Sequence, residues 1–147
     1  MRLRLSQRYA EEVIDRNMRI FGIYNDPRQG VLWVGTDGQG AVMYSRKYAI
    51  ATNLMLSSFS PNLTRQVRAI MTDKQGGLWV GTKGNGLLHV KNYRDGVRAS
   101  DVEVYSLNGK QPAVSYVRPE RELRIYAMRE SSYRNGFWVG AASPGLC

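Results

Sequence analysis

Leu32-Trp33-Val34-Gly35-Thr36 recurs as Leu78-Trp79-Val80-Gly81-Thr82 and, more loosely, as Phe137-Trp138-Val139-Gly140-Ala141. All three tryptophans of the 147-residue chain occupy this one position. A second glycine falls five residues after the first in each copy, at Gly40, Gly86 and Gly145. Small or apolar residues follow it: Ala41-Val42, Leu87-Leu88 and Leu146-Cys147. Upstream, each copy is preceded by an apolar-rich segment, Met18 to Tyr24, Val67 to Asp73 and Leu123 to Arg129. Self-similarity of this kind marks a supersecondary unit that buries its face only by stacking on its neighbours.

The tryptophans are 46 and then 59 residues apart. The first interval fits a β-propeller blade of four strands, roughly 40 to 50 residues. The second requires an insertion, placed at Tyr105 to Arg121. Within a unit the order is strand, turn, strand, turn, strand. Asp26-Pro27-Arg28-Gln29-Gly30 and Asp73-Lys74-Gln75-Gly76-Gly77 are turns in which proline presets φ or glycine supplies positive φ. Asp37-Gly38-Gln39-Gly40 and Lys83-Gly84-Asn85-Gly86 reverse the chain again, and Thr52 to Leu56 and Asp101 to Ser106 are the candidate outer strands. Helical periodicity is confined to one or two turns over Tyr9 to Asp15. The expected fold is therefore all-β: about three four-stranded antiparallel propeller blades, an incomplete propeller. The blades span 18–57, 58–106 and 107–147, the last truncated, after an N-terminal segment or partial strand over 1–17. Cys147 stands where Val42 and Leu88 stand in the other units. Open blade faces and unpaired edges at both ends are thus expected to drive self-association.

Trp33, Trp79 and Trp138 have two roles open to them, sugar-stacking platform or packing residue between sheets. Their fixed register beside apolar neighbours favours packing, with Trp79 fully buried. Gly35, Gly81 and Gly140 are read as points of close backbone approach. No lysine stands at phosphate-loop spacing. Arg19, Arg68 and Arg124 take the second position of the aligned first strand, which makes them candidates for an arc of anion-binding groups, the alternative being three separate solvated charges. Asp26 and Asp73 are turn residues rather than the two placed carboxylates of a glycosidase. His89, the only histidine, is read as a strand residue. Cys147, the only cysteine, completes no disulfide, metal motif or nucleophilic dyad.

The pattern D-x-x-G-x-L-W-x-G-T-x-x-x-G-L resembles the two-component regulator propeller repeat. Asp73, Gly76, Leu78, Trp79, Gly81, Thr82, Gly86 and Leu87 carry it most fully. Asp26, Gly30, Leu32, Trp33, Gly35, Thr36 and Gly40 carry it with one extra turn residue and Ala41 for the final leucine. Phe137 and Ala141 depart from it in the third unit. The resemblance implies a segment of the periplasmic sensor region of a membrane-anchored bacterial hybrid histidine kinase, detecting carbohydrate fragments. A propeller scaffold for protein–protein interaction is the alternative, since propellers present broad faces to other chains.

Composition bounds these readings. Hydrophobic residues at 43% and charged residues at 22% describe a globular chain. No apolar run reaches the ~20 residues of a membrane span, and the N-terminus lacks the apolar core of a signal peptide. The formal charge of +9 suits an acidic ligand. Its basic residues are dispersed among glutamates, which argues against nucleic acid. No enzyme activity, cofactor, metal or membrane insertion is expected. The expected partners are an oligosaccharide, neighbouring blades and a second copy.

Overall fold

A computed structural model describes residues 17, 19–45, 50–63, 66–91, 93 and 97–142. The N-terminal segment through residue 16, the helical turns expected at Tyr9 to Asp15, and Gly145 to Cys147 lie outside the described residues.

Among the described residues the fold is all-β, with three single-turn 3₁₀ segments. The first blade is an antiparallel meander of β1 (Ile20–Asp26), β2 (Val31–Thr36), β3 (Ala41–Ser45) and β4 (Ile50–Leu54). The second repeats it with β5 (Val67–Thr72), β6 (Leu78–Gly84), β7 (Leu87–Val90) and β8 (Val102–Ser106). β9 (Gly109–Pro112) adds a fifth strand to its outer edge through a hairpin at Leu107-Asn108. β9, the 3₁₀ turn Ala113–Ser115 and the loop to Glu122 are the insertion that lengthens the second interval. The third unit, the one expected to be truncated, contributes β10 (Leu123–Glu130) and β11 (Phe137–Ala142) among the described residues. β10 also pairs with the end of β6 through Leu123↔Gly84 and Arg124↔Lys83, which joins the second and third units into one seven-stranded sheet.

In the second blade the tryptophan strand β6 is buried because neighbouring units cover both of its sides. Leu78 and Val80 of β6, Leu88 and Val90 of β7, and Val102 and Val104 of β8 are all fully buried. Each contributes about 1.5–3 kcal/mol relative to an exposed side chain. The glycines repeated at the motif's fourth position set how closely the next blade approaches. A Cβ on Gly35 would stand 2.9 Å from Val67 Cγ1, and one on Gly81 would stand 2.5 Å from Ile125 Cγ2. Val67 and Ile125 stand in equivalent registers near the start of the first strand of the following unit. Gly140 differs, since its nearest neighbour is Ala127 at an ordinary 3.6 Å.

The threonine after each glycine closes the second turn. Thr36 and Thr82 hydroxyls donate to the carbonyls of Gly40 and Gly86 at 2.7 and 2.8 Å. Each also accepts a backbone N–H, from Gln39 and Asn85, at 3.1 Å. Ala141 lacks the hydroxyl for this clamp.

A polar seam joins the blades as well. Asp26 is buried; its Oδ1 accepts from the Arg28 N–H at 2.9 Å, and its Oδ2 accepts from the Thr72 hydroxyl of the next blade at 2.7 Å. Asn85, also buried, donates to the Asn62 carbonyl and the Tyr116 hydroxyl, both at 3.1 Å.

Candidate functional site

The three equivalent tryptophans occupy three different environments. Trp33 is 2% exposed and packs edge-on against Tyr93, ring centroids 5.3 Å apart. Trp79 is half-buried rather than fully buried, and it borders a cleft. Trp138 is 73% exposed, which corrects its expected core position. β11 pairs only with β10 among the described residues, so no further blade covers that ring.

Trp79 stands at the centre of an aromatic cluster. His89 stacks on it at 3.9 Å and 13°, Phe137 approaches at 4.8 Å, and Tyr105 at 5.6 Å. Its indole N–H donates to Asp73 Oδ2 at 2.8 Å. Asp73 Oδ1 meanwhile accepts the backbone N–H groups of Gln75 and Gly77 at 3.0 and 2.8 Å. One turn carboxylate therefore fixes both the β5–β6 turn and the orientation of the ring.

The cleft, about 190 Å³, opens where the second and third blades meet. Trp79, Phe137 and Met71 form its apolar wall; Asp73, Gln75, Glu130, Arg134 and Asn135 bring polar groups to it. Glu130 reaches turns of both other blades, with Lys74 Nζ at 3.8 Å and Arg28 Nη2 at 3.9 Å. Flat apolar rings beside amides and charged groups form the kind of surface that binds a molecule with one apolar face and a polar rim.

His89 is tied to this cluster from behind. Its Nε2 lies 3.5 Å from Asp73 Oδ2 and its Nδ1 4.0 Å from Glu103 Oε2. Burial lowers its pKa, outweighing the opposing pull of the two carboxylates. Lys91 and Lys110 hold Glu103 at 2.9 and 3.0 Å and push its pKa down to about 2.

The expected arginine arc divides into two registers. Strand pairing sets Arg124 opposite Lys83 and brings Gln66 opposite Asp37, so Arg124 corresponds to Gln66 rather than to Arg68. Arg19 lies at that same level, its carbonyl accepting the Asp37 N–H at 2.8 Å. Arg68 instead occupies a β-bulge between Val67 and Ala69, in register with the bulge residues Phe21 and Tyr126. Arg19 is exposed, and Arg124 is ion-paired with Glu122 at 3.2 Å, Glu122 also holding Arg118. Arg68 Cζ lies over the Phe21 ring at 3.9 Å. Strand register thus does not set the three arginines at one level.

Sequence reasoning did not find Phe137, Glu130, Arg134 and Asn135 as cleft residues. Phe137 carried one signal, because it replaces the motif leucine. Among the described residues, no group of three or more His, Cys, Asp or Glu is placed to hold a metal ion. No helix among them is long and apolar enough to cross a membrane.

Residues 63–84, which include β5, the Asp73 turn and β6, match the family model described as the two component regulator propeller. No curated protein matches the chain.

Proposed function

We propose that this chain, which carries the repeat of the two-component regulator propeller, is a non-catalytic recognition segment of a bacterial two-component signal-transduction sensor that detects carbohydrate fragments in the periplasm. The cleft at Trp79 is the observation that carries this reading. It sets two aromatic side chains beside amides and paired charges at a junction of blades, and sugars present an apolar ring face and a rim of hydroxyls. Trp79 is held in place by Asp73 and His89 before any ligand arrives, so little ordering cost remains at binding. The ion pairs of Glu130 with Lys74 and Arg28 connect the cleft to all three units. Occupancy there biases how the blades sit together, and a sensor needs such a coupling.

The test is a calorimetric or thermal-shift screen of the chain against neutral and acidic oligosaccharides, repeated on Gln75→Ala and Asn135→Ala. Both residues border the cleft. The expected result is binding by the parent chain and a loss of about tenfold or more in each variant, the weight of one or two hydrogen bonds. Binding unchanged in both variants would move the ligand away from the cleft. The absence of any oligosaccharide binding would overturn the carbohydrate reading.

A further inference from the structure

Each unit's first strand carries one bulge, and the three bulge residues stack. β1 skips Phe21 between Ile20 and Gly22, β5 skips Arg68, and β10 skips Tyr126 between Ile125 and Ala127. A bulge takes its residue out of the ladder and re-aims the side chain. Because the bulge repeats from blade to blade, the re-aimed side chains meet. Arg68 Cζ lies 3.9 Å from the Phe21 ring centroid and 5.7 Å from that of Tyr126. Phe21 and Tyr126 remain 36% and 50% exposed, so the stack opens to solvent.

Among the described residues, no acceptor is matched to Arg68. Its Nε is sealed from solvent without an acceptor, and no carboxylate pairs with it among the described residues. Arg28, Arg98, Arg118 and Arg124 all have carboxylate partners. A guanidinium keeps its donors in its own plane, and with Nε sealed the terminal Nη groups are the donors left to meet a ligand beside the rings. That arrangement suits a planar anion with two oxygens, which lies flat between the rings and accepts two parallel N–H bonds.

We propose that Arg68, held between Phe21 and Tyr126, is a carboxylate-binding position of this chain, taking the acid group of a ligand. The position lies near the start of β5, whereas the Trp79 cleft adjoins Asp73 beyond the end of that strand. It does not depend on the cleft's taking sugar.

The probe is sodium glucuronate, with glucose and sodium chloride at matched ionic strength as controls, added to the full 147-residue chain. The readout is the Arg68 Nε–Hε resonance, assigned with Arg68→Lys. The expected result is a saturable shift with glucuronate and none with either control. Arg68→Lys is expected to weaken glucuronate binding about tenfold, since an ammonium has no fork to offer. Arg98→Gln, at an exposed arginine paired with Asp101 away from both sites, is expected to leave it unchanged. Should Arg68→Lys misfold, Phe21→Leu keeps an apolar cover without a ring and is expected to weaken binding several-fold. Equal shifts with glucose or chloride, or glucuronate affinity unchanged in a folded variant, would overturn the proposal. Because the cleft reading is tested by oligosaccharide binding and its Gln75 and Asn135 variants, and this one by glucuronate at the Arg68 resonance, failure of the cleft reading and failure of this one are separate results.

Discussion

At the scale of single residues, one motif position supports three different energetic roles. Trp33→Ala removes a sealed ring and is expected to cost about 3–5 kcal/mol. Trp138→Ala removes a ring already in water and is expected to stay within about 0.5 kcal/mol of the parent. Trp79→Ala should fall between them. Urea unfolding of the three variants checks that order, and equal costs would contradict it. His89 gives a second prediction. Burial holds its folded pKa below the ordinary histidine value, so the unfolded chain takes up the proton first as pH falls. Its stability contribution is therefore complete above about pH 6.5 and declines below, by at most about 1.4 kcal/mol per pH unit. A second decline follows below about pH 4.5, where Glu103 and Glu122, both lowered, begin to lose their cationic partners' stabilisation. His89→Gln should flatten the upper limb and leave the lower one; thermal melts across this range decide. The sequence made the register of these residues legible. It did not show their surroundings, because a ring's burial depends on which blade faces it. Trp138 reads like Trp33 in the chain and differs from it only in neighbours.

At the scale of the element, turn chemistry was legible and strand irregularity was not. Asp26 and Asp73 cap their turns with side-chain oxygens as their spacing implied, and the hydroxyls of Thr36 and Thr82 clamp the next reversal. Gly86 shows how strict that reversal is. It adopts φ +77°, and an added Cβ would collide with the Tyr105 carbonyl oxygen of β8. Gly86→Ala combines positive-φ strain with a backbone clash, and is expected to cost more than about 2 kcal/mol. Gly136→Ala, in open space without positive φ, is the control and should be nearly neutral. Chemical denaturation compares the two directly. The bulges left no such trace. Aligning by residue type set Arg68 beside Arg19 and Arg124, whereas hydrogen-bond register sets it beside Phe21 and Tyr126. A bulge changes which residues oppose each other without changing composition, so no periodicity in the chain reveals it.

At the scale of the whole molecule, the described blades hold their centre and leave apolar surface at their margins. The second blade is covered on both sides, with Val67 and Ile125 sealed beneath the strands beside them. On the third unit, by contrast, Trp138 is 73% exposed, Tyr126 50% and Val139 40%. On the first, Ile20 is 49% and Ile23 65% exposed. Propeller blades bury such surfaces against further blades, and a second copy of the chain offers the same kind of surface. Single exposed apolar residues are ordinary on a protein, but two clusters on strands built to be covered favour association. The charge of +9 opposes it through long-range repulsion. Salt weakens that repulsion, with a screening length of about 8 Å at physiological ionic strength. Association should therefore strengthen as salt is added, the reverse of a contact made by opposite charges. The expected outcome in light scattering at micromolar concentration is a mass above that of one chain, rising with ionic strength. Trp138→Ser should lower it, because it removes the most exposed ring on β11 without touching the covered blades. A single-chain mass at every salt concentration would show that the β1 and β11 faces do not associate. A mass that falls as salt is added would assign the contact to charge pairs instead of these apolar strands.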